Sequence, residues 1–485
     1  MNIEVIFKEV YLTHSRNRPG SLIEACTLVS SYARTRCRRG NEVKIMSIAQ
    51  NLTENVKSFV LKNGNEKKII YGAFAINILF YWFYNVVIYN NNKIVINDYY
   101  QNFSTAVYDF LTNPMNLYTI TYNPVSIPFR NLPSLVFYYM IFYSLPHTAR
   151  IDYYVCSMSI ILWNLGSCIL FNKIMKLEKF KEIQGITIFT VPAVIIAFYM
   201  LNLWGILEYY MANTNVITGF FVLLGVYFFL SDRERYGYVA WSIAITFKIT
   251  IIFLIIFFIF QPPFKRFLRN LMHALIPQIP NIIMFALWPN LLFDYVTFNI
   301  SVDVNFAPNY FHSGDVAREF SWFFKLPLIS LVIPIFLVFF IVNFILCYKA
   351  SQVTFIDRLI LAFLTTIVIF PDFMFCHVLF FLGVYLLWLA SHDDSVFSKS
   401  TRILVGLPLL SVTYYFGTSF VPFPSISPCF FIPLLLIDYR LISSMKRNAV
   451  VMIKNIMKSR AKVALIIIGL DGACIVVSLW ILGFI

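Results

Sequence analysis

From residue 69 to the C terminus, the sequence repeats long, mostly apolar runs that are separated by short polar segments. A helix needs about 20 apolar residues to cross the hydrocarbon core of a bilayer. Because lipid offers no hydrogen-bond partners, a spanning segment must satisfy its own backbone, as a helix does. Only 13% of the 485 residues are charged, which is far less than a soluble chain of this length exposes. The runs therefore predict an all-α, polytopic transmembrane protein.

The apolar runs predict about 12 or 13 membrane spans. The stretch 238–261 divides into two short halves, and it could instead form one long helix. Residues 1–68 are predicted to be a basic cytoplasmic segment, and residues 69–485 the transmembrane domain. The predicted spans cover residues 69–90, 151–172, 185–203, 214–230, 238–249, 250–261, 271–293, 326–347, 356–371, 374–391, 402–417, 426–437 and 463–484.

The basic residues predict the orientation of these spans. With residues 1–68 in the cytoplasm and alternating sides thereafter, the inner loops hold most of the 38 Lys and Arg residues, as the positive-inside rule expects. The net charge of +14 thus indicates orientation rather than a nucleic-acid partner. The two longest outer loops, 91–131 and 294–325, are where we expect the chemistry of a membrane enzyme. Six basic residues do not follow the positive-inside rule and lie on the predicted outer side or in the membrane: Lys93, Arg130, Arg150, Lys248, Arg318 and Lys325.

The eight cysteines are scattered, with no CxxC pair and no cluster with histidine. This spacing predicts neither a disulfide framework nor a zinc site. A divalent metal usually needs several hard oxygen ligands. Asp98, in the first outer loop, has no close acidic neighbour, so we expect no metal and no other cofactor.

Asp98 follows an apolar run and precedes apolar residues at helical spacing, among them Phe103, Ala106 and Val107. This spacing predicts a helix that lies along the outer membrane face. Asn97 or Asp98 would be its N-cap, and a helix N-terminus would favour the ionised carboxylate. Residues 132–146 are too short for a confident span and predict a second surface helix or a shallow re-entrant one.

Lys248 lies inside the apolar stretch "AWSIAITFKITIIFLIIF". An ammonium group there costs about 2.5–3.5 kcal/mol on insertion scales, so it needs a partner or a water-filled cavity. One interpretation is that the side chain extends to the outer interface. The other is that it contacts an anion.

Four short motifs, in order, resemble those of GT-C glycosyltransferases. The first is Asp98-Tyr99 followed by Ala106, and the second is an outer loop with Asn213 and Asn215 that precedes an embedded Lys248. "VNFAPNYFH" (304–312) is similar to an element of the first mannosyltransferase of GPI-anchor synthesis, although Val304, Ala307 and Asn309 depart from it. "FPDFMFCHVLFFLGVYLL" (370–387) resembles a late element of glycosyltransferase family 87, with Pro371 and His377 at the matching positions.

This resemblance implies a GT-C fold with juxtamembrane helices in the first outer loop. It implies an inverting hexosyltransferase that moves a sugar, mannose by resemblance, from a polyprenyl or dolichyl phosphate. The acceptor would be a hydroxyl of a lipid-linked glycan, a glycolipid or a protein glycan on the non-cytosolic face. The protein would lie in the cell membrane of a prokaryote or in the ER membrane of a eukaryote, with membrane lipid around it.

The same chemistry assigns roles to residues. The acceptor hydroxyl must lose a proton, for which Asp98 is the candidate base, with Asp109, Asp303 and Asp315 as alternative acids. The leaving phosphate needs a cation placed beforehand, for which Lys248 is the candidate. Further candidates for contacts to the donor phosphate or the sugar are Arg130, Arg150, Arg318, Asn213, Asn215, His312 and His377.

Two other classes of function compete with this interpretation. A transporter or lipid flippase would have charges paired near the midplane and repeats with broken helices. A non-catalytic scaffold would leave the cost of embedding Lys248 unexplained.

Overall fold

The computed structural model describes residues 65–83, 98–118, 131–185, 188–260, 264–296, 353–369 and 379–391, with isolated positions at 51–62, 129 and 337–345. These residues are mostly helical, and among them only an isolated bridge between Gln184 and Ser391 has β geometry. The all-α prediction is therefore confirmed for the described residues. Two continuous helical stretches among the described residues are long and apolar enough to cross a membrane: Ile151–Met175, and Phe264–Leu287, which includes a 3-10 turn.

The described α-helices are numbered in chain order. A π-helical turn, Tyr99–Phe103, leads into the second of them, and short 3-10 turns occupy Pro114–Asn116, Thr148–Arg150, Ile188–Thr190, Ile249–Ile251 and Ile276–Gln278. The helices are α1 Asn65–Trp82, α2 Ser104–Thr112, α3 Leu135–Tyr143, α4 Ile151–Met175, α5 Glu178–Lys181, α6 Pro192–Met200, α7 Leu203–Met211, α8 Asn215–Leu230, α9 Glu234–Phe247, α10 Ile252–Ile259, α11 Phe264–Leu275, α12 Ile279–Leu287, α13 Phe355–Ile369 and α14 Leu379–Ala390.

The predicted span 151–172 is helical throughout in α4, but several other predicted spans have different bounds. The span 185–203 contains α6, which begins only at Pro192, after an extended Val191. Proline favours the first turn of a helix, where its missing N–H is not needed. The span 271–293 instead begins at residue 264. Its basic first turn is stabilised by Arg266, which binds Glu234 of α9.

The segment predicted as the first outer loop, with the residues that follow it, contains the helices predicted there. α2 follows Asp98 and buries Ala106 and Val107, whereas its Leu111 is exposed. α3 lies within the segment 132–146 that predicts a second short helix. Phe103 stacks on Tyr139 of α3, with ring centroids 4.0 Å apart. This stacking fixes the start of α2 against α3.

The stretch 238–261 forms two short helices and not one long helix. Of the two structures that the sequence allowed, this is the division into two short halves. α9 ends at Phe247, the backbone of the next residue, Lys248, is extended (φ −148°, ψ 112°), and α10 begins at Ile252. Tyr238 near the start of α9 donates a hydrogen bond of 2.6 Å to the carbonyl of Phe258 near the end of α10. The two helices therefore form a hairpin with Lys248 at its tip.

Ion pairs connect loops that the basic residues predict on one side of the membrane. Lys179 of the short helix α5 pairs with Asp232 in the turn between α8 and α9. Arg266 of α11 donates to one oxygen of Glu234 from both Nη2 (2.7 Å) and Nε (3.1 Å). The base of the α9–α10 hairpin therefore lies at the same end of the helices as these basic loops, and its tip lies away from them.

α8 and α9 pack closely at Gly225. A Cβ atom at this position would overlap the indole ring of Trp241. That ring is completely buried, and its Nε1 donates to the carbonyl of Val222 at 3.1 Å, so it cannot move aside without losing a buried hydrogen bond. Small residues of this kind let helix backbones approach in membrane proteins.

We expect Gly225→Ala to lower the free energy of unfolding by about 1–3 kcal/mol, because overpacking forces rigid neighbours apart. Thermal unfolding of the detergent-purified protein measures the change. Gly72→Ala on α1 is the matched control, because an added Cβ there meets nothing within 4 Å. Equal stability of the two variants would contradict the close contact at Gly225.

Candidate functional site

The turn between α7 and α8, residues 212–214, is fixed by hydroxyl groups from neighbouring helices. The last carbonyls of a helix have no partner within it. Here the hydroxyls of Ser157, Tyr153 and Tyr139 donate to the carbonyl oxygens of residues 209, 210 and 212, respectively. Two of these donors lie on α4 and one on α3, so the turn is tied to both helices.

We expect Tyr153→Phe to destabilise the protein by about 1–3 kcal/mol, because it leaves the carbonyl of Tyr210 without its donor. Tyr153 is completely buried, and its hydrogen bond is 2.8 Å long. The adjacent, partly buried Tyr154 provides the control variant Tyr154→Phe. Thermal unfolding compares the two, and an unchanged Tyr153→Phe protein would contradict the role given to this hydroxyl.

Asn213 connects this turn to Asp98, at the start of the segment that precedes α2. Its Oδ1 accepts the backbone N–H of Thr214 at 2.6 Å, and its Nδ2 donates to Oδ2 of Asp98. The preceding Ala212 is held at φ 51°, a region that residues with a Cβ rarely adopt. Such backbone strain persists where the surroundings enforce it, often at functional sites. The hydroxyl contacts described above supply that enforcement.

Asp98 occupies the N-cap position of the π-helical turn Tyr99–Phe103, but its side chain does not cap that turn. Its own backbone is helical (φ −66°, ψ −26°), and its side chain makes no capping hydrogen bond. The prediction of capping by Asp98 is therefore wrong, and Asn97 lies outside the described residues. The carboxylate binds Asn213 instead, 115 residues along the chain.

Lys248, at the tip of the α9–α10 hairpin, lies near this carboxylate. Its charge acts on both Asp98 and Glu208 and lowers the pKa of each carboxyl group. The structure thus brings together Asp98, Asn213 and Lys248, which the sequence analysis chose from three separate segments. The extended backbone at residue 248 ends α9, so Lys248 lies at the tip of the hairpin and not along a continuous helix.

Glu208 is a member of this group that the sequence analysis missed. It lies on α7, its side chain is buried, and Asn215 at the start of α8 donates to its Oε1 at 2.9 Å. A signal was present, because Glu208 is the only charged residue between Glu182 and Asp232. An isolated acid in an apolar stretch of a membrane protein is a functional candidate.

Burial raises the pKa of both acids. For Asp98, desolvation outweighs the opposing effects of Lys248 and Asn213. Burial therefore opposes the effect of a helix N-terminus, which was expected to favour the ionised carboxylate. For Glu208, desolvation raises the pKa to about 8, with Asn215 and Lys248 opposing it. Asp98 and Glu208 both lie outside the two helices that are long enough to span a membrane. A raised pKa makes Asp98 a stronger base at neutral pH.

Arg150 lies beside a different buried acid. It precedes α4 and has a left-handed backbone (φ 60°). Two residues later, Asp152 is completely buried and accepts hydrogen bonds from Tyr100 at 3.2 Å and from Nδ1 of His147 at 2.9 Å. Tyr100 is two residues from Asp98, so this second cluster adjoins the first.

Four other residues predicted to contact the donor lie outside the described residues: Arg130, His312, Arg318 and His377. The alternative acids Asp303 and Asp315 lie outside them too. Asp109 is described on α2, where it is partly exposed. Within the described part of the chain, no group of three or more His, Cys, Asp or Glu residues is arranged to hold a metal ion.

No protein-family model matches the sequence, and no curated protein matches it significantly.

Proposed function

We propose that this chain is a multi-pass, inverting glycosyltransferase of the GT-C type. It transfers a sugar, mannose by resemblance, from a polyprenyl or dolichyl phosphate to a hydroxyl of a glycan or glycolipid on the non-cytosolic face. The observation that carries the proposal is the meeting of Asp98, Asn213 and Lys248 in one cluster. Each belongs to a motif that resembles this superfamily, and Asp98 and Asn213 are 115 residues apart in the chain.

The charges of the cluster match the needs of this reaction. The acceptor oxygen forms a bond to the anomeric carbon as the bond from that carbon to the phosphate oxygen breaks. The proton of the acceptor hydroxyl passes to Asp98, whose raised pKa suits a base. The bonding electrons leave with the lipid phosphate, whose growing negative charge Lys248 stabilises. Asn213 keeps the carboxylate in place through its amide.

The depth of the cluster also suits a lipid-linked donor. α8 has 16 residues and α9 has 14, so they are about 24 Å and 21 Å long at roughly 1.5 Å per residue. The hydrocarbon core is about 30 Å thick. If the charged turn between these helices lies at one surface, Asn215 and Lys248 lie somewhat beneath the other. A donor whose tail stays in the lipid can bring its phosphate to that depth.

A transfer assay tests the proposal. The full chain, purified in detergent, is incubated with radiolabelled polyprenyl-phosphate mannose and with membrane extracts as the source of acceptors. We expect label to enter glycan or glycolipid, and donors that carry other sugars then define the specificity. Absence of transfer from every polyprenyl-phosphate sugar by folded protein would overturn the proposal.

One observation favours a transporter as the second candidate. Buried acids beside a cation at a break between helices are also found at transporter binding sites. Proteoliposomes that contain the chain distinguish the two candidates. A transporter moves the labelled lipid between leaflets with its sugar-phosphate bond intact, whereas the proposed enzyme releases polyprenyl phosphate.

A further inference from the structure

The contact between Glu208 and Asn215 leaves two buried oxygen atoms without partners. Nδ2 of Asn215 donates to Oε1 of Glu208 at 2.9 Å. Oε2 of Glu208 and Oδ1 of Asn215 are both buried, and neither has a hydrogen-bond partner in the described part of the chain. Only 3% of Glu208 and none of Asn215 is exposed. An ionised carboxylate and an amide oxygen are both acceptors, so each of these atoms needs a hydrogen.

The charged groups of the cluster do not balance if both acids are ionised. The described groups that face one another are Asp98 before α2, Glu208 of α7 and Lys248 at the hairpin tip, and Tyr139 of α3 adjoins both acids. Tyr139 already donates its hydroxyl proton to the carbonyl of Ala212. Two carboxylates and one ammonium leave one negative charge in excess, and an uncompensated buried charge is costly.

One proton resolves both problems. We infer that Glu208 is a neutral carboxylic acid that pairs with Asn215 through two hydrogen bonds. Oε2–H of Glu208 donates to Oδ1 of Asn215, while Nδ2–H of Asn215 donates to Oε1. This acid–amide pair leaves Asp98 as the single anion beside Lys248.

The pair gives Glu208 the part of a positioning residue. It joins the end of α7 to the first residue of α8, on either side of the turn that carries Asn213. Because Glu208 already holds its proton, the proton of an acceptor hydroxyl passes to Asp98. This last consequence rests on the proposed function, whereas the pair itself does not.

Glu208→Gln tests the pair, because glutamine reproduces both hydrogen bonds without a titrating group. The raised pKa of about 8 means that folded protein holds a proton that the unfolded chain, with a pKa near 4.5, releases. The contribution of Glu208 to stability is therefore complete below pH 4.5 and is lost as the pH rises to about 8. We expect the melting temperature of the wild type to fall over this range, and that of Glu208→Gln to fall less.

Three comparisons make this experiment decisive. Glu182→Gln, at an exposed acid, should leave the pH dependence unchanged. Glu208→Ala should be destabilised at every pH, because it leaves the Asn215 amide unsatisfied. Infrared spectroscopy at pH 7 should show the carbonyl band of a protonated carboxylic acid that Glu208→Gln lacks. A Glu208→Gln protein with the wild-type pH dependence, or as unstable as Glu208→Ala at acidic pH, would overturn the pair.

The transfer assay gives a separate result. At pH 7, Glu208→Gln should retain most of the transfer that Glu208→Ala loses, because glutamine reproduces the two hydrogen bonds that position the turn and Glu208 gives up no proton in the reaction. If it folds normally but loses transfer, then Glu208 acts in its ionised form and the inference is wrong. If neither the wild type nor any variant transfers sugar, then the proposed function fails. The melting and infrared data still decide the protonation of Glu208 in that case.

Discussion

Replacing Asp98 with Asn is expected to lower the rate of sugar transfer by roughly 10²- to 10⁴-fold, the range for loss of a general base. Asparagine has the shape of aspartate, and its side-chain oxygen can still accept the hydrogen bond from Asn213. The turn that positions Asn213 should therefore be retained. The amide, however, cannot take the proton of the acceptor hydroxyl. Initial rates with radiolabelled donor, measured on purified and folded variants, give the size of the loss.

Asp109→Asn is the matched control for this loss. Asp109 lies on α2, eleven residues from Asp98, in the same predicted outer loop and only partly buried. We expect this variant to keep the wild-type rate. Transfer that survives Asp98→Asn but is lost in Asp109→Asn would show that the base was assigned to the wrong acid.

Replacing Lys248 with Met is expected to lower kcat by roughly 10²- to 10³-fold, the loss seen when one group that stabilises transition-state charge is removed. Methionine keeps much of the length of lysine but has no charge. The negative charge on the leaving phosphate grows as the bond to the sugar breaks. An interaction that strengthens in the transition state affects kcat more than KM.

Two further variants test whether the charge of Lys248 alone is sufficient and whether the effect is specific to this lysine. Lys248→Arg keeps the charge but changes its geometry from a point to a planar fork, so we expect an intermediate rate. Lys265→Met removes an exposed lysine from α11 and should leave transfer unchanged. Wild-type kcat in Lys248→Met, measured at saturating donor, would exclude the ammonium from the reaction.

The sequence predicted the helices of the described region better than it predicted the environment of the acids. An apolar run is a local property, and such runs identified α4 and α8 as helices, while they left 238–261 as either two short helices or one long helix. The cost of embedding Lys248 indicated that the lysine needs a partner. The helix break at residue 248 explains how one is reached, because the hairpin places the lysine at its tip rather than along a continuous helix.

The partners of the acids could not be predicted, because they depend on contacts between distant segments. Capping is a local interaction, so it was the natural interpretation of an acid before a helix. Asp98 instead binds Asn213, and the hydroxyl groups that fix the turn come from α3 and α4. Glu208 had no motif of its own, and only its isolation in an apolar stretch marked it. Burial, which raises the pKa of both acids, is likewise a property of the packed structure.

A double-mutant cycle between Asp98 and Lys248 tests the central claim, that these two charges share one buried cluster. Thermal unfolding is measured for wild type, Asp98→Asn, Lys248→Met and the double variant in the same detergent. If the charges interact, Lys248→Met leaves excess buried negative charge, and adding Asp98→Asn should recover stability. We expect the single effects to differ from additivity by about 0.5–3 kcal/mol, as for neighbouring groups. Additive effects would mean that the two side chains do not meet.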